Sequence, residues 1–588
     1  MSKQSYRVCF CFRRRFRLAA AEAPADIKAI FEMYSENGLM RVDQLRRFLV
    51  EVQGEENATV ESAQGIMDGL KHLHIFQRRG LNLEAFFKYL LGDVNQPLDP
   101  KLGIHHDMTA PVSHYFIYTS HNTYLTGNQL SSDSSDIPII RALQGGVRVI
   151  ELDLWPNSAK DNVDVLHGRT LTAPVELIKC LRSIKKHAFS ASVYPVVITL
   201  EDHLTANLQA LVAEMIVRTF GAMLYTSGPK LLNEFPSPES LKRRIIISTK
   251  PPKEYLEPNK VVKGKNSEKG QSSAEDDEWR REVPDNKPKN SVNKDDDLDG
   301  EDMGTDEDDE EDPKQMQQAA PEYRNLIAIP AGKGKGGMQQ WLKVDPTKVR
   351  RLSLSEQELE KGIREYGEDI IRFTQQNLLR VYPKGLRMNS SNYNPLSAWM
   401  HGAQMVALNM QGYGKSLWLM HGMFRANGGC GYVKKPDFLL KAASNSEVFD
   451  PKANLPVKTT LRVTVYMGEG WYYDFSPTHF DTYSPPDFYA KVGIVGVPAD
   501  TMKKKTKTMD DNWIPTWDEV FEYPLTVPEL ALLRIEVRDA NATGKSEFAG
   551  QTCLPISELR KGIRAVPLYS QKGVKYKSVK LLMRFQFV

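Results

Sequence analysis

The chain has 588 residues, a formal net charge of +3, 41% hydrophobic residues and 26% charged residues. That length exceeds what a single hydrophobic core supports, so we expect several domains. The near balance of charge gives no bulk electrostatic argument for nucleic-acid binding. No apolar run approaches the roughly 20 residues that span a bilayer, so any membrane contact is expected to be peripheral.

Residues 1–24 form a basic tail with two cysteines between aromatic residues, Cys9 and Cys11. Three interpretations stay open: a disordered tail, S-acylation beside a polybasic membrane anchor, and an Arg-rich transit peptide. Ser2 stands where N-myristoylation requires glycine. The five cysteines of the chain are odd in number and widely scattered. They therefore favour a reducing compartment over a disulfide framework.

Residues 25–100 carry four stripes of apolar residues at helical spacing, which predict two helix–loop–helix units. The segment SENGLM resembles the loop of an EF-hand with its central glycine at Gly38. In that register Met33 and Gln44 occupy the first and last ligand positions, where an EF-hand needs carboxylates. We expect an EF-hand-like lobe that packs against its neighbours and does not bind calcium.

Residues 105–250 contain short apolar, β-branched runs separated by helical-looking segments, which is typical of βα units around a parallel sheet or barrel. Active sites of such barrels lie at the carboxyl ends of the strands. The runs carry, or end in, His121, Asn122, Glu151, Asp153, His167 and Glu201. The oxygen groups suit a hard cation such as Ca²⁺, and the imidazoles suit acid–base chemistry near neutral pH. A fifth run ends at Lys250, which either contacts an anionic substrate or is a solvated surface charge.

Residues 251–345 change to Lys, Glu, Asp, Ser, Pro and Asn, with a dense acidic run over 295–312. Their apolar content is too low to offset the entropy of ordering, which predicts an acidic disordered linker between two halves of one domain. It is either a solubilising linker or a polyanionic flap that covers a cationic pocket or is repelled by an anionic membrane.

Residues 346–450 supply about three further strand-like runs. Five runs before the linker and three after it make eight, the strand number of a closed β/α barrel. Arg380 and Tyr382 are two residues apart at a strand end, so they are expected to share a face.

Residues 456–588 alternate apolar and polar side chains between Pro/Gly turns without helices, which predicts an antiparallel β-sandwich. Two acidic loops could share Ca²⁺ if they meet at one end of the sandwich. Those loops carry Asp481, Asp487, Asp539, Asn541 and Glu547. The lysine-rich segment 503–507 lies between them and could bind anionic lipid, although solvated turns are the alternative for all these charges.

The two barrel segments also carry eight motifs: SHNTYL, IELDLW, LHG, ITLED, LLRVYP, SSNYNP, MVALNMQ and FRANGGCGYVKKP. Together they resemble the X and Y halves of eukaryotic phosphoinositide-specific phospholipase C. The resemblance implies a TIM-like (β/α)₈ barrel split into X and Y halves, preceded by the EF-hand-like lobe and followed by a C2 domain. The plant-type form is the better match, because the sequence before the lobe leaves no room for a pleckstrin-homology domain.

The resemblance implies calcium-dependent hydrolysis of phosphatidylinositol 4,5-bisphosphate to diacylglycerol and inositol 1,4,5-trisphosphate in intracellular signalling. Catalytic roles fall on His121, His167 and Glu151, and calcium ligation falls on Asn122, Glu151, Asp153 and Glu201. Substrate contacts fall on Lys250, Ser353, Arg380 and Tyr382, with Ser355 as a rival to Ser353. Animal members have a second phosphate-binding lysine where this chain has Ser248. Selectivity among phosphoinositides is therefore open.

The resemblance also implies a location in the cytoplasm and at the cytoplasmic face of the plasma membrane. Contact with the membrane is expected through the C2 domain and an apolar barrel rim of Leu130, Leu171 and Leu386. Two rival functions use the same fold. One is a catalytically inactive, calcium-dependent membrane-binding scaffold. The other is a calcium-independent phospholipase of the bacterial type, which has a basic side chain where this chain has acids.

Overall fold

The computed structural model describes most of the 588 residues. The exceptions are residues 1–2, 8–12, 18–20, 72–79, 228–231, 251–319, 334–335, 442–447, 477, 481–482 and 541–545. The predictions for Cys9, Cys11, Asp481, Asn541 and the acidic run 295–312 therefore lie outside the described residues. No described helix has the length and apolar character that crossing a membrane requires.

The N-terminal tail contains two strands, β1 (Lys3–Arg7) and β2 (Arg13–Arg17), which pair antiparallel. This pairing contradicts the interpretation of a wholly disordered tail. The register joins five residue pairs, and both strands carry an aromatic residue, Tyr6 in one and Phe16 in the other. Aromatic residues favour strands, but the many charged residues of the tail are typical of disorder, so composition alone does not indicate these strands.

The lobe before the barrel has four helices: α1 (Ala25–Met33), α2 (Val42–Glu51), α3 (Val60–Leu70) and α4 (Leu83–Leu90). Their apolar stripes meet in one core, in which the rings of Phe48 and Phe86 are 5.0 Å apart. That core continues into the last domain through Tyr466 and Ile563. The lobe therefore packs on the C-terminal sheet.

The first barrel segment, Val112 to Thr249, alternates strands and helices. Its elements are β3 (Tyr115–Ile117), β4 (Thr119–Ser120), α5 (Asp136–Gln144), β5 (Val149–Pro156), β6 (Val163–Val165), β7 (Val175–Glu176), α6 (Leu177–His187), β8 (Val196–Asp202), α7 (Ala206–Phe220), β9 (Leu224–Tyr225) and β10 (Ile245–Thr249). The strands are rich in Val and Ile and are buried on both faces, as parallel strands covered by helices must be.

The second barrel segment follows the acidic insertion. Its elements are α8 (Pro321–Arg324), β11 (Ile327–Pro330), α9 (Met338–Trp341), β12 (Arg351–Ser355), α10 (Glu356–Gln376), β13 (Leu378–Tyr382), α11 (Leu396–Met400), β14 (Met405–Leu408), α12 (Lys415–Met423), β15 (Tyr432–Lys434) and α13 (Asp437–Leu440). The longest helix, α10, begins with a capping box in which Ser355 accepts from the Glu358 N–H and Glu358 accepts from the Ser355 N–H.

Eight strands form the barrel wall in the order β11-β10-β8-β5-β4-β14-β13-β12, and every neighbouring pair is parallel. The ring closes where the Gly332 N–H donates to the carbonyl of Arg351 at 3.1 Å. The predicted (β/α)₈ barrel is confirmed.

The predicted division of the strands, five before the linker and three after it, is wrong. The run 163–165 is β6, which pairs antiparallel with β5 outside the barrel wall. β11 lies inside the range 251–345 that the sequence predicts as linker, and its Ala328 and Ile329 are buried. Four apolar residues between charged and glycine-rich sequence are too short to indicate a strand, so the composition predicts a linker that includes this part of the barrel.

The C-terminal domain is an antiparallel sandwich, as predicted. Its elements are β16 (Thr459–Glu469), α14 (Trp471–Asp474), β17 (Phe488–Val495), β18 (Met502–Lys505), β19 (Thr516–Leu525), β20 (Leu532–Ala540), β21 (Ser546–Pro555), β22 (Gly562–Tyr569) and β23 (Lys575–Phe587). The strand order is β18-β17-β20-β21-β22-β23-β16-β19. One short helix, α14, was not expected, and it places Trp471 in the core.

Candidate active site

Three carboxylates meet at the carboxyl ends of two adjacent barrel strands. Glu151 and Asp153 lie on β5, and Glu201 lies on β8 directly across from Asp153. One oxygen of each carboxylate lies within 4.8 Å of the other two. Glu151 and Asp153 are buried, whereas Glu201 is exposed. The strand-end pattern in the sequence therefore produces a compact cluster of negative charge.

The carboxyl group of Asp153 experiences this charge most strongly. Burial, together with the nearby Glu201 and Glu151 carboxylates, raises the pKa of Asp153 well above its ordinary value. The Tyr124 hydroxyl donates to its Oδ2 at 2.6 Å. Its Oδ1 is buried and has no hydrogen-bond partner among the described residues. A buried oxygen without a partner, among three carboxylates, fits a divalent cation.

Asn122 adds an amide to the same edge of the barrel. Its backbone has φ of 40°, a left-handed conformation that asparagine adopts more readily than most residues. This conformation directs its N–H to Glu151 Oε2 at 3.1 Å. Its side-chain Nδ2 donates to Gln129 Oε1 at 2.9 Å, which leaves the amide oxygen as the candidate ligand atom.

Arg380 lies on β13 and reaches across the barrel to the cluster. Its guanidinium donates to Glu151 Oε1, and both side chains are buried. The guanidinium also lies 5.3 Å from the centre of the Tyr382 ring. The residue predicted to contact substrate phosphate is therefore the counter-ion of a predicted calcium ligand. Burial and the charge of Arg380 lower the pKa of the neighbouring Arg351 to about 9.

His121 follows β4 and is half-buried against the second barrel segment. Its Nδ1 lies 2.9 Å from Asn409 Oδ1, and Asn409 is held in turn by Asn392. Because an amide oxygen only accepts, Nδ1 carries the proton and Nε2 is unprotonated in the neutral ring. Burial lowers the pKa of His121, so the ring is neutral at neutral pH without ligands.

His167 follows β6 and reaches the same site through Gln129. Its Nδ1 lies 2.7 Å from the Gln129 carbonyl oxygen, which fixes a proton on Nδ1. The Gln129 side chain also accepts from Asn122 and donates to Asn409. One glutamine therefore connects both imidazoles with a candidate metal ligand.

Sequence reasoning missed Tyr124, Gln129 and Asn409. Asn409 follows the run MVAL of β14, so the strand-end rule that found His121 would have found it as well. Gln129 and Tyr124 lie in the loop after β4, where no hydrophobic period marks a functional side chain.

The predicted phosphate contacts lie around the same barrel end. Lys250 is exposed at the end of β10, and Ser353 lies directly across from Arg380 in the β12–β13 register. Ser355 caps α10, so Ser353 is the better candidate of the two. Ser248 is buried and donates to the Ile329 carbonyl at 2.9 Å, so the position lies within the barrel wall.

Apolar side chains form a rim beside this site. Leu130, Leu171 and Leu386 are 43%, 81% and 75% exposed. The Leu171 N–H donates to the Leu130 carbonyl, and the Gln129 N–H donates to the Met388 carbonyl, both at 2.8 Å. The rim therefore joins the loops that carry His167 and Gln129.

The acidic loops of the C-terminal sandwich meet at one end. The Asp487 N–H donates to Asp539 Oδ1 at 2.5 Å, and the Asp511 N–H donates to Asp487 Oδ1 at 2.7 Å. Glu547 lies across from Asp539 in the β20–β21 register. The structure thus joins three predicted acids and adds Asp511, which the sequence analysis did not single out.

Both barrel segments and the C-terminal sandwich match families of known proteins. The X domain of phosphatidylinositol-specific phospholipase C matches residues 108–251, its Y domain matches 338–438, and a C2 domain matches 459–570. Phosphoinositide phospholipase C 2 of Arabidopsis thaliana is 64% identical across all of both chains. A mouse protein, 1-phosphatidylinositol 4,5-bisphosphate phosphodiesterase delta-3, is 32% identical across 93% of this chain and 66% of its own.

The solved structure of S. officinalis PLC21 has a similar fold. It superposes with a TM-score of 0.71 at 24% identity, over 96% of this chain and 68% of its own. At that identity the likeness concerns the fold alone.

Proposed function

This chain belongs to the phosphoinositide phospholipase C family and is an enzyme of that class, and we propose that it hydrolyses phosphatidylinositol 4,5-bisphosphate in a calcium-dependent reaction. The products would be diacylglycerol and inositol 1,4,5-trisphosphate. The observation that supports this most is the meeting of three carboxylates with two imidazoles at the carboxyl end of the barrel. Gln129 holds His167 directly and contacts Asn409, which holds His121.

Calcium would be held by Asn122, Glu151, Asp153 and Glu201. These side chains offer only oxygen ligands, which Ca²⁺ prefers. The support from this chain is the partnerless Oδ1 of Asp153 and the raised pKa of its carboxyl group. When bound, calcium supplies positive charge that lowers the pKa of the attacking hydroxyl and offsets charge on the phosphoryl oxygens.

The inositol 2-hydroxyl would attack the adjacent phosphorus and give up its proton to Glu151. The bond from phosphorus to the diacylglycerol oxygen breaks, and His167, as the imidazolium, gives that oxygen its Nε2 proton. The remaining cyclic phosphodiester is then opened by water. Positioned acid–base groups contribute about 10²- to 10⁴-fold each to such reactions.

His121 would stabilise charge on the phosphoryl group. Without substrate, burial keeps its ring neutral and leaves Nε2 unprotonated. A phosphate placed beside the ring raises the pKa of the imidazole, because an adjacent anion favours the charged form. The charge that His121 needs is therefore favoured by substrate itself.

The substrate's phosphates would be contacted by Lys250, Ser353 and Arg380, with the Tyr382 ring against the inositol. Arg380 is engaged by Glu151 before substrate arrives. A phosphate that attracts this guanidinium weakens its bond to Glu151, which makes the carboxylate available as a base or calcium ligand. Substrate and catalytic carboxylate would thus compete for one cation.

Peripheral membrane binding would use the rim of Leu130, Leu171 and Leu386 together with the C2 domain. Acids at Asp487, Asp539 and Glu547 are candidate ligands of a second calcium site there. The lysine-rich segment 503–507 is a candidate contact for anionic lipid. The expected location is the cytoplasm and the cytoplasmic face of the plasma membrane.

The test is release of water-soluble inositol phosphate from vesicles that contain phosphatidylinositol 4,5-bisphosphate, across a titration of free Ca²⁺. We expect calcium-dependent release that a chelator abolishes and that His121→Ala abolishes. His187→Ala, at the end of α6, is the matched control. No release from the parent at any calcium level would favour the membrane-binding scaffold instead, and vesicles of phosphatidylinositol alone would show how much selectivity remains with Ser248.

A further inference from the structure

A second group of metal-binding side chains lies where the barrel meets the C2 domain. His105 and His106 precede the barrel, and Glu558 belongs to the turn after β21. One ligand atom of each lies within 4.8 Å of the others. Nε2 of His105 and Nε2 of His106 are each 3.3 Å from Glu558 Oε1. Bonds of about 2.0–2.1 Å to a tetrahedral ion separate the ligands by about 3.3 Å, so these distances fit one ion.

Asn427 contacts all three residues, through the backbone of the two histidines and the side chain of Glu558. Its Oδ1 accepts from the backbone N–H groups of His105 and His106, each at 2.9 Å. Its own N–H donates to Glu558 Oε1 at 2.7 Å. Asn427 is fully buried. Because one rigid residue positions the ligands from both domains, little further ordering is needed to bind an ion.

In its neutral form the His105 ring faces the carboxylate with an unprotonated nitrogen, and either a proton or a metal ion between the two groups stabilises the contact. Its Nδ1 lies 3.0 Å from the Gly103 carbonyl, which can only accept, so Nδ1 carries the proton. The neutral ring then directs the Nε2 lone pair at Glu558 Oε1, and two lone pairs repel. Metal-bound histidines characteristically donate the other ring N–H to a carbonyl or carboxylate, as His105 does.

His106 is held in a different tautomer. The Lys434 N–H donates to its Nδ1 at 3.2 Å, so Nε2 carries the proton and faces Glu558 as a donor. Metal binding moves this proton from Nε2 to Nδ1 and opens the contact with Lys434. His106 is therefore the weaker of the two imidazole ligands.

We propose that His105, His106 and Glu558 form a transition-metal site, with Zn²⁺ as the expected ion, that joins the segment before the barrel to the C2 domain. Two imidazoles and a carboxylate suit Zn²⁺, whereas Ca²⁺ takes about 6–8 oxygen ligands. The three side chains are 26%, 22% and 11% exposed, so solvent reaches the site and water can fill the fourth position. The site is chemically distinct from the carboxylate cluster of the barrel.

The test is a Zn²⁺ titration of the full chain against a chromophoric chelator. Excess Ca²⁺ occupies the oxygen sites, and a Cys9→Ser, Cys11→Ser background removes thiolates that would bind zinc. The expected result is one Zn²⁺ per chain and a higher Tm with zinc. His105→Ala should weaken binding by at least about 100-fold, since even loss of a partner beyond the ligands costs about 10–100-fold. His106→Ala should weaken it less.

Two controls separate a lost ligand from a lost fold. His187→Ala should bind zinc as the parent does, and Glu558→Gln keeps an acceptor for Asn427 while removing the carboxylate charge. Weaker zinc binding by a Glu558→Gln protein with unchanged circular dichroism would support the site. Absence of zinc binding by the parent would overturn the proposal, and so would unchanged binding by a His105→Ala, His106→Ala double variant. Neither result depends on lipid hydrolysis.

Discussion

Replacing Asp153 with asparagine should stabilise the calcium-free protein and, at the same time, raise its calcium requirement. Burial and the Glu201 and Glu151 charges raise the pKa of Asp153 in the folded state. The folded state therefore holds a proton that the unfolded state releases above the ordinary Asp pKa of about 3.9. Stability of the calcium-free protein falls as pH rises from there through the raised pKa, and Asp153→Asn removes this loss.

The size of the effect follows from the geometry of the cluster. Two carboxylate charges within 4.8 Å repel by about 3 kcal/mol at an effective dielectric constant of 20. Arg380 offsets part of this by pairing with Glu151. We therefore expect Asp153→Asn to gain about 1–3 kcal/mol without calcium. Losing one charged ligand should weaken calcium binding by about the same 3 kcal/mol, which is about 100-fold.

Two measurements test the prediction. Denaturant unfolding in a chelator at several pH values gives the stability, and hydrolysis of lipid vesicles across buffered calcium gives the requirement. Asp164→Asn is the matched control, since burial also raises the pKa of Asp164 but the residue lies outside the cluster. An unchanged calcium dependence in Asp153→Asn would refute the assignment of Asp153 as a ligand.

Three further predictions concern the surroundings of the site. Arg380→Met leaves Glu151 buried without its partner and should cost about 3–5 kcal/mol of calcium-free stability. It should also tighten calcium binding, since a nearby cation is gone, and weaker binding in equilibrium dialysis would contradict this. Burial lowers the pKa of His421 to about 4 from 6.5. As the pH falls, the unfolded state therefore binds this proton before the folded state does. The free energy of unfolding should decrease by on the order of 3 kcal/mol as the pH falls from 6.5 to about 4. His421→Gln should flatten that slope in unfolding titrations, and an unchanged slope would exclude His421 as the cause. Leu171→Asp with Leu386→Asp should slow hydrolysis of vesicles by at least about 10-fold, since burying one leucine contributes about 1.5–3 kcal/mol. The rate of this double variant on a soluble short-chain substrate should be unchanged. An equal loss of rate on the soluble substrate would indicate that the leucines pack within the protein.

The barrel could be predicted from the sequence because its longer strands are largely apolar. Strands β8 and β10 are rich in Val and Ile, and β5 has apolar residues on both sides of its two acids. The strand β11 could not, since its four residues lie between an acidic insertion and a glycine-rich turn. The run of β6 has the composition of a barrel strand, and only its antiparallel pairing with β5 removes it from the wall. Composition indicates that a segment forms a strand, but only the folded structure shows which strand it pairs with.

The candidate site divides along a similar line. The strand-end rule found Glu151, Asp153 and Glu201, because parallel strands place their carboxyl ends side by side. It did not find Gln129, a loop residue that contacts His167 directly and His121 through Asn409. A loop residue acquires its contacts from the turn that holds it, and no periodic pattern in the sequence reports that turn.

The Arg380–Glu151 pair is a contact that the sequence does not predict, and it has the largest consequence for mechanism. The two residues are 229 positions apart and were predicted to act on different partners, phosphate and calcium. In the barrel they face each other, so the guanidinium neutralises one carboxylate of the cluster until an anion competes for it. A substrate phosphate and a calcium ion would each relieve one half of this pair. Binding of either ligand should therefore favour binding of the other, which makes calcium affinity measured with and without lipid the direct measure of their coupling.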